Sequence, residues 1–83
     1  MRDEIERLIN DYEIHSILDI PCGDFYWMSK VNLGNSKYVG GDIVDDLIKN
    51  NIKKYKTEKV DFKVIDIIDD KLPQTDLIIV RDL

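Results

Sequence analysis

The sequence predicts an α/β fold built on a doubly wound parallel sheet. Short apolar, β-branched runs typical of buried strands alternate with longer runs whose apolar residues recur at helical spacing. Apolar strands joined by helices are typical of a parallel sheet that is covered on both faces. A third observation is an aspartate at or just beyond the carboxyl end of each predicted strand: Asp19, Asp42, Asp66 and Asp82. Because ligands bind beyond the carboxyl ends of the strands in such sheets, we expect these carboxylates along one binding edge.

Length and composition limit the functional classes. The chain has 83 residues, of which 43% are hydrophobic and 35% charged, and its net charge is −5. This composition is typical of one globular domain, and the absence of a basic stripe argues against a nucleic acid partner. No apolar run approaches the roughly 18 residues of a membrane span, so we expect a cytoplasmic protein without a membrane partner. The single cysteine, Cys22, has no partner for a disulfide or a zinc site.

The first two elements are an amphipathic helix and a strand. Apolar residues at helical spacing predict a helix over residues 3–13, and Asp3 with Glu6 resembles a capping box at its start. Residues 15–20 are short, apolar and β-branched, which predicts a buried strand that ends just before Pro21.

A second helix and a second strand follow. Residues 25–33 favour a helix that ends at Gly34. Residues 37–42 predict a strand, in which the paired glycines Gly40 and Gly41 indicate a close backbone approach or a bulge.

The remaining elements are a third helix and two strands. Residues 44–55 place their apolar side chains on one helical face, with acidic residues first and basic residues last, the order that the helix dipole favours. Residues 60–67 and 76–80 predict two further strands, separated by a loop that contains a proline.

The aspartates that end the strands are regularly spaced. Asp42 follows Asp19 by 23 residues, and Asp66 follows Asp42 by 24. The first interval is close to the distance of about 20 residues at which an acidic residue meets ribose hydroxyls in dinucleotide-binding folds. Aspartate is also common where strands turn into loops, which gives a purely structural alternative.

Residues 19–25, DIPCGDF, resemble the first motif of the class I S-adenosylmethionine-dependent methyltransferases. That motif is Asp/Glu-x-Gly-x-Gly-x-Gly, of which Gly23 is kept, whereas Pro21 and Phe25 occupy the flanking glycine positions. Residues 38–43, in turn, resemble the second motif of the family.

The resemblance extends through most of the chain. Residues 62–67 and 76–83 resemble the third and fourth motifs of the family. The chain is most similar to the N-terminal, cofactor-binding part of bacterial methyltransferases with an LDIPCGD-type first motif, some of which are similar to enzymes of surface-polysaccharide clusters. The resemblance implies a Rossmann-like sheet, S-adenosyl-L-methionine as cofactor, and a small-molecule or saccharide methyl acceptor.

The resemblance also assigns roles in binding the cofactor. The residues concerned are Asp19, Pro21, Cys22, Gly23, Asp42, Ile43, Asp66 and Ile67. Gly23 would let the turn approach the methionine part, while Asp19 would attract its ammonium or orient the turn. Asp42 would accept hydrogen bonds from both ribose hydroxyls. Asp66 would accept one from the adenine amino group, with the backbone of Ile67 nearby.

Two further groups have alternative interpretations. Asp82 could orient or deprotonate an acceptor hydroxyl as a catalytic residue, or it could be a solvated carboxylate at a strand end. Phe25, Tyr26 and Trp27 could face the sulfonium through cation–π contacts, although we expect at least two of them to pack in the core.

The fourth predicted strand suggests a partial domain. In the family it is a central strand of seven, yet the sequence ends three residues after Val80. We therefore expect a truncated methyltransferase domain over residues 1–83, with an N-terminal helix in 1–14 and cofactor-binding αβ units in 15–83, inactive by itself. A non-catalytic remnant or a module that self-associates through the exposed fourth strand is the alternative. A nicotinamide-dinucleotide fragment is disfavoured because the Gly-x-Gly-x-x-Gly turn is missing.

Overall fold

The computed structural model of the chain describes residues 2–72 and 74–80. Its elements are α1 (Arg2–Asp11), β1 (Ser16–Ile20), a 3₁₀ turn (Met28–Lys30), β2 (Lys37–Asp42), α2 (Asp45–Tyr55), β3 (Val60–Val64) and β4 (Leu77–Val80). The four strands form one all-parallel sheet in the order β3-β2-β1-β4. This is the order of the first four strands of a Rossmann-like sheet, and the predicted α/β fold class is confirmed.

The two faces of the sheet are covered differently. On one face, side chains from both helices, the strands and the β1–β2 connection form the larger core cluster, which includes Ile5, Ile17, Phe25, Tyr38, Ile48 and Phe62. On the other face, a smaller cluster joins the strands to the connection between β3 and β4, through Leu18, Ile20, Ile65, Ile67 and Leu72. The connections therefore lie on opposite faces, as in a doubly wound sheet. Within the described residues both α-helices lie on the first face.

The prediction of a helix over residues 25–33 is wrong. A single 3₁₀ turn, Met28–Lys30, stands in its place. Phe25 has a left-handed backbone with φ of 65°, which an α-helix cannot contain. Next to it the Asp24 carboxylate accepts a hydrogen bond from the Tyr26 amide at 3.0 Å, a local turn that competes with helix formation.

Two smaller predictions at the element ends also differ from the structure. Helix α1 begins at Arg2, and the Glu6 carboxylate accepts from the Asn32 amide at 2.7 Å rather than closing a capping box. Strand β3 ends at Val64 instead of residue 67, because Asp66 begins a turn in which its carboxylate accepts from the Ile68 amide at 2.9 Å.

The paired glycines of β2 mark a close approach, as predicted. A Cβ on Gly40 would lie 2.8 Å from Cδ1 of Phe62, and a Cβ on Gly41 would lie 2.9 Å from Cδ1 of Ile65. Side chains on both faces of the sheet thus pack directly against the β2 backbone.

Candidate functional site

A cleft of about 280 Å³ lies beyond the carboxyl ends of β1, β2 and β3. Its lining residues are Ile20, Pro21, Asp42, Ile43, Ile65, Asp66, Ile67 and Ile68. Five of them, Pro21, Asp42, Ile43, Asp66 and Ile67, are among the predicted cofactor-binding residues. Six apolar side chains and two carboxylates match the usual lining of small-molecule sites, and the volume lies near the lower end of their range of roughly 300–1,000 Å³.

Asp42 is positioned by two backbone amides. Its Oδ2 accepts a hydrogen bond from Gly23 N at 3.1 Å, and its Oδ1 accepts one from Val44 N at 3.0 Å. The residue is only 6% exposed, at the last position of β2. Because each carboxylate oxygen can accept a second hydrogen bond, Asp42 keeps acceptor capacity toward the cleft.

The turn after β1 is tied to β2 and α2 by hydrogen bonds. Cys22 N donates to Gly41 O at 2.8 Å, and Gly23, with φ of 58°, accepts at its carbonyl from Asn51 Nδ2 at 2.8 Å. Positive φ at Gly23 is a conformation that glycine adopts without strain. These bonds attach the turn to the end of β2 and to the buried face of α2.

Cys22 and Gly23 themselves lie outside the cleft lining. The Cys22 side chain is buried in the larger core cluster, with its Sγ 3.8 Å from Asn51 Nδ2. Gly23 reaches the cleft indirectly, through its hydrogen bond to Asp42. Of the predicted turn residues, Pro21 lines the cleft directly.

The Asp19 side chain is buried on the sheet face that carries the larger core cluster and does not line the cleft. Its side chain is 0% exposed, and its Oδ2 accepts a hydrogen bond from Tyr38 Oη at 2.7 Å. Of the two roles predicted for Asp19, this location favours orientation of the strand end and its turn over contact with an ammonium in the cleft.

Asp66 organises the loop on the opposite wall. Its Oδ1 accepts from the amides of Ile68 and Asp69 at 2.9 and 3.3 Å, and its own amide donates to Asp70 Oδ2 at 2.8 Å. These bonds fold residues 66–70 into a turn, which places Ile67 and Ile68 beside the Asp66 carboxylate in the cleft wall.

The three aromatic residues after the turn separate into core and surface. Phe25 is buried, with its ring centroid 5.0 Å from those of Tyr38 and Tyr55 and 5.1 Å from that of Phe62. Tyr26 and Trp27 are exposed, so the prediction that at least two of the three pack in the core is wrong. The cleft lining contains none of them.

Asn51 is a site residue that sequence reasoning missed. It is 2% exposed and reaches the turn from α2. The available signal was its spacing, because residue 51 lies three positions after Ile48 and four before Tyr55 on the buried helix face.

Three further points concern the candidate catalytic residue, metal ligands and membrane-spanning helices. The predicted catalytic residue Asp82 lies outside the described residues. Across residues 2–72 and 74–80, no group of three His, Cys, Asp or Glu side chains could hold a metal ion. In the same part of the chain, no helix has the length and apolar character needed to cross a membrane.

Comparison with protein-family models and with curated proteins gives no significant match to this chain. The functional assignment consequently depends on the geometry of the cleft and on the chemistry of its lining.

Proposed function

We propose that this chain is the S-adenosylmethionine-binding portion of a methyltransferase that acts on a small-molecule or saccharide acceptor. The observation that carries the proposal is the cleft at the carboxyl ends of the strands, where Asp42 and Asp66 lie among isoleucine side chains. Ligands of parallel α/β sheets bind at this edge, so the location and the lining agree.

The chemistry of the cleft suits a nucleoside with hydroxyl groups. Asp42 offers two carboxylate oxygens to vicinal ribose hydroxyls, an arrangement that a neutral side chain reproduces only in part. The isoleucines on either side, Ile43 and Ile67, provide apolar surface for a purine ring, with the Asp66 carboxylate near its exocyclic amine. The volume of about 280 Å³ fits a nucleoside better than a whole dinucleotide.

The charge of the chain favours a cationic ligand. S-Adenosylmethionine carries a sulfonium and an ammonium, and the chain has a net charge of −5. When bound, the cofactor supplies an activated methyl group. The residues of this chain would bind it and exclude water, and much of the rate would come from alignment of the acceptor with the sulfonium. Asp82 remains our candidate for orienting or deprotonating an acceptor hydroxyl.

Isothermal titration of the purified chain with S-adenosylhomocysteine tests the proposal. We expect saturable binding by the natural sequence and a loss of at least about tenfold in affinity for Asp42→Asn, because an amide NH₂ that cannot accept a hydrogen bond replaces one carboxylate oxygen. Asp46→Asn is the matched control, since it makes the same charge change on an exposed residue in the first turn of α2, outside the cleft lining. Binding that is equally strong in both variants would contradict the proposed role of Asp42.

A second variant separates binding from folding, because Asp42 also holds two backbone amides. Ile43 lines the cleft and is exposed, so Ile43→Arg should fill the cleft with bulk and positive charge without disturbing the core. We expect this variant to unfold at the same urea concentration as the natural chain and to bind S-adenosylhomocysteine much more weakly.

Competition with a nicotinamide dinucleotide distinguishes the alternatives. Preferential binding of the dinucleotide would replace the proposal with a dinucleotide-binding role. A folded chain that binds neither ligand and forms a defined oligomer would favour a remnant or a strand-pairing module.

A further inference from the structure

We infer that Asn51 is a positioning residue that holds the turn at residues 21–24 and, through Gly23, sets the orientation of Asp42. The inference rests on the proposed function, because Asp42 is the residue that would bind the ribose. Asn51 lies in the second turn of α2 and is nearly fully buried, on the face that also carries Ile48.

A packing role alone does not explain an asparagine at this position. Asparagine is a poorer helix former than leucine, and a buried amide is destabilising unless it is hydrogen-bonded. Asn51 meets that requirement by donating from Nδ2 to Gly23 O at 2.8 Å. The polar side chain is therefore explained by the bond to the turn.

Gly23 is held by side chains at both of its backbone polar groups. Its amide donates to Asp42 at 3.1 Å, and its carbonyl accepts from Asn51 at 2.8 Å. Among the described residues, no other heavy atom lies within 4 Å of the point that a Cβ on Gly23 would occupy, apart from its chain neighbours. Side-chain hydrogen bonds therefore hold the two peptide groups that flank Gly23.

The two bonds are coupled because the Gly23 amide and carbonyl belong to the two peptide groups joined at its Cα, so both orientations depend on the backbone conformation of Gly23. Without the Asn51 amide, the Gly23 carbonyl keeps only the weak Cys22 Sγ donor at 3.5 Å, and the left-handed conformation of Gly23 is less strongly favoured. The amide then has a wider range of orientations, and Asp42 Oδ2 loses a well-directed donor. Loss of one such bond predicts a drop in ligand affinity of roughly threefold to tenfold.

The test uses the full chain with Asn51→Leu, which keeps the side-chain size and removes the donor. Ile48→Val is the control, since it removes one buried methyl group from the same helix face without touching the turn. Two quantities are measured in each folded variant: the S-adenosylhomocysteine dissociation constant and the hydrogen exchange rate of the Gly23 amide without ligand. If Asn51→Leu fails to fold, Asn51→Ser takes its place, because a serine is too short to reach Gly23 O.

We expect the Asn51 variant to exchange the Gly23 amide about tenfold faster than the natural chain and to bind more weakly, whereas Ile48→Val changes neither. In the double variant with Asp42→Asn, the affinity losses should be less than additive, because both act through Gly23. Unchanged Gly23 exchange, or strictly additive losses, would overturn the positioning role. Failure of the natural chain to bind S-adenosylhomocysteine would overturn the proposed function instead, and the Gly23 exchange rates would still decide whether Asn51 holds the turn.

Discussion

Tyr38 donates a hydrogen bond from its hydroxyl to the carboxylate of Asp19 at 2.7 Å, and both side chains are buried on the sheet face that carries the larger core cluster. The two residues belong to neighbouring strands that pair in parallel, with Ile17 beside Tyr38. The hydroxyl gives the buried Asp19 side chain a hydrogen-bond partner, and a buried polar group without hydrogen bonds is unfavourable. Tyr38 is therefore one of the residues that hold the Asp19 side chain in the interior.

Tyr38→Phe should lower the free energy of unfolding by about 1–3 kcal/mol, because it removes a hydrogen bond from a buried acceptor and leaves the ring in place. Urea unfolding followed by circular dichroism measures the loss. Tyr12→Phe, on an exposed tyrosine, is the control and should change the midpoint very little. An equal midpoint for both variants would show that the Tyr38–Asp19 bond does not stabilise the fold.

At Phe25, replacement by glycine should destabilise the chain less than replacement by alanine, which is the opposite of the usual order. Its φ of 65° is unfavourable for any residue with a Cβ, whereas its ring packs among three other aromatic rings. Phe25→Ala should lower the free energy of unfolding by about 3–5 kcal/mol, because packing is lost. Phe25→Gly should lower it by about 1 kcal/mol less, because glycine adopts the left-handed region without strain.

Met28 provides the opposite expectation. It is buried in the 3₁₀ turn that follows Phe25, where φ is negative, so Met28→Gly should be less stable than Met28→Ala. Thermal melting of all four variants, with trimethylamine N-oxide added to keep weak variants folded, gives the comparison. The same order at both positions would mean that backbone strain at Phe25 is negligible.

Gly40→Ala should destabilise the chain by about 1–3 kcal/mol, since the new Cβ would lie 2.8 Å from the Phe62 ring. A smaller partner should relieve the clash, so that Gly40→Ala with Phe62→Leu costs less than the sum of the two single changes. Gly34→Ala, where the Cβ meets open space and only a φ of 59° opposes it, should add to Phe62→Leu without coupling. Denaturant unfolding of the five variants measures both couplings.

The Lys56–Asp61 ion pair should make the free energy of unfolding depend on pH in the acidic range. The Lys56 ammonium, 2.9 Å from Asp61 Oδ1, holds the pKa of that carboxyl below its ordinary value of 3.8. A depressed pKa in the folded state contributes stability above pH 3.8, and this contribution is lost as the pH falls through the lower folded value. Both side chains are partly exposed, so the effect should be below about 1 kcal/mol and should shrink in salt.

Lys56→Met measures that contribution. We expect it to lower the free energy of unfolding near neutral pH and to leave it unchanged well below the folded pKa of Asp61. Lys49→Met is the control, because its pair with Asp45 is more exposed and should show a smaller difference between the two conditions. A loss for Lys56→Met that persists at the acid end would indicate that packing of the lysine stem, not the ion pair, is responsible.

Local sequence signals predict the regular elements well and the connections poorly. Strand β2 has the predicted bounds, and α2 begins one residue later than predicted, because strand-forming residues and charge order are local properties. The helix predicted for residues 25–33 is missing because Phe25 has a left-handed backbone, and its ring packs against residues that are distant in sequence, Tyr38, Tyr55 and Phe62.

The same distinction holds at the candidate site. The regular spacing of the strand-end aspartates predicts that the cleft lies at the carboxyl ends of the strands, and Asp42 and Asp66 line it. It does not predict the hydrogen bond from Tyr38 to Asp19, or the one from Asn51 to Gly23, which lies 28 residues earlier in the sequence. Those contacts depend on strand pairing and on how α2 packs, which no single segment specifies.

The left-handed conformation of Phe25 has an evolutionary consequence. A backbone shape usually associated with glycine is here maintained by surrounding rings, so natural selection can conserve the shape of the turn while its residues change. A sequence pattern that requires a glycine at every left-handed position of a turn would not match this turn, in which Phe25 occupies one of those positions. A turn that is stabilised by residues distant in sequence is better recognised by those contacts than by its own residues. Substitutions at the contacting positions should therefore be correlated with substitutions in the turn.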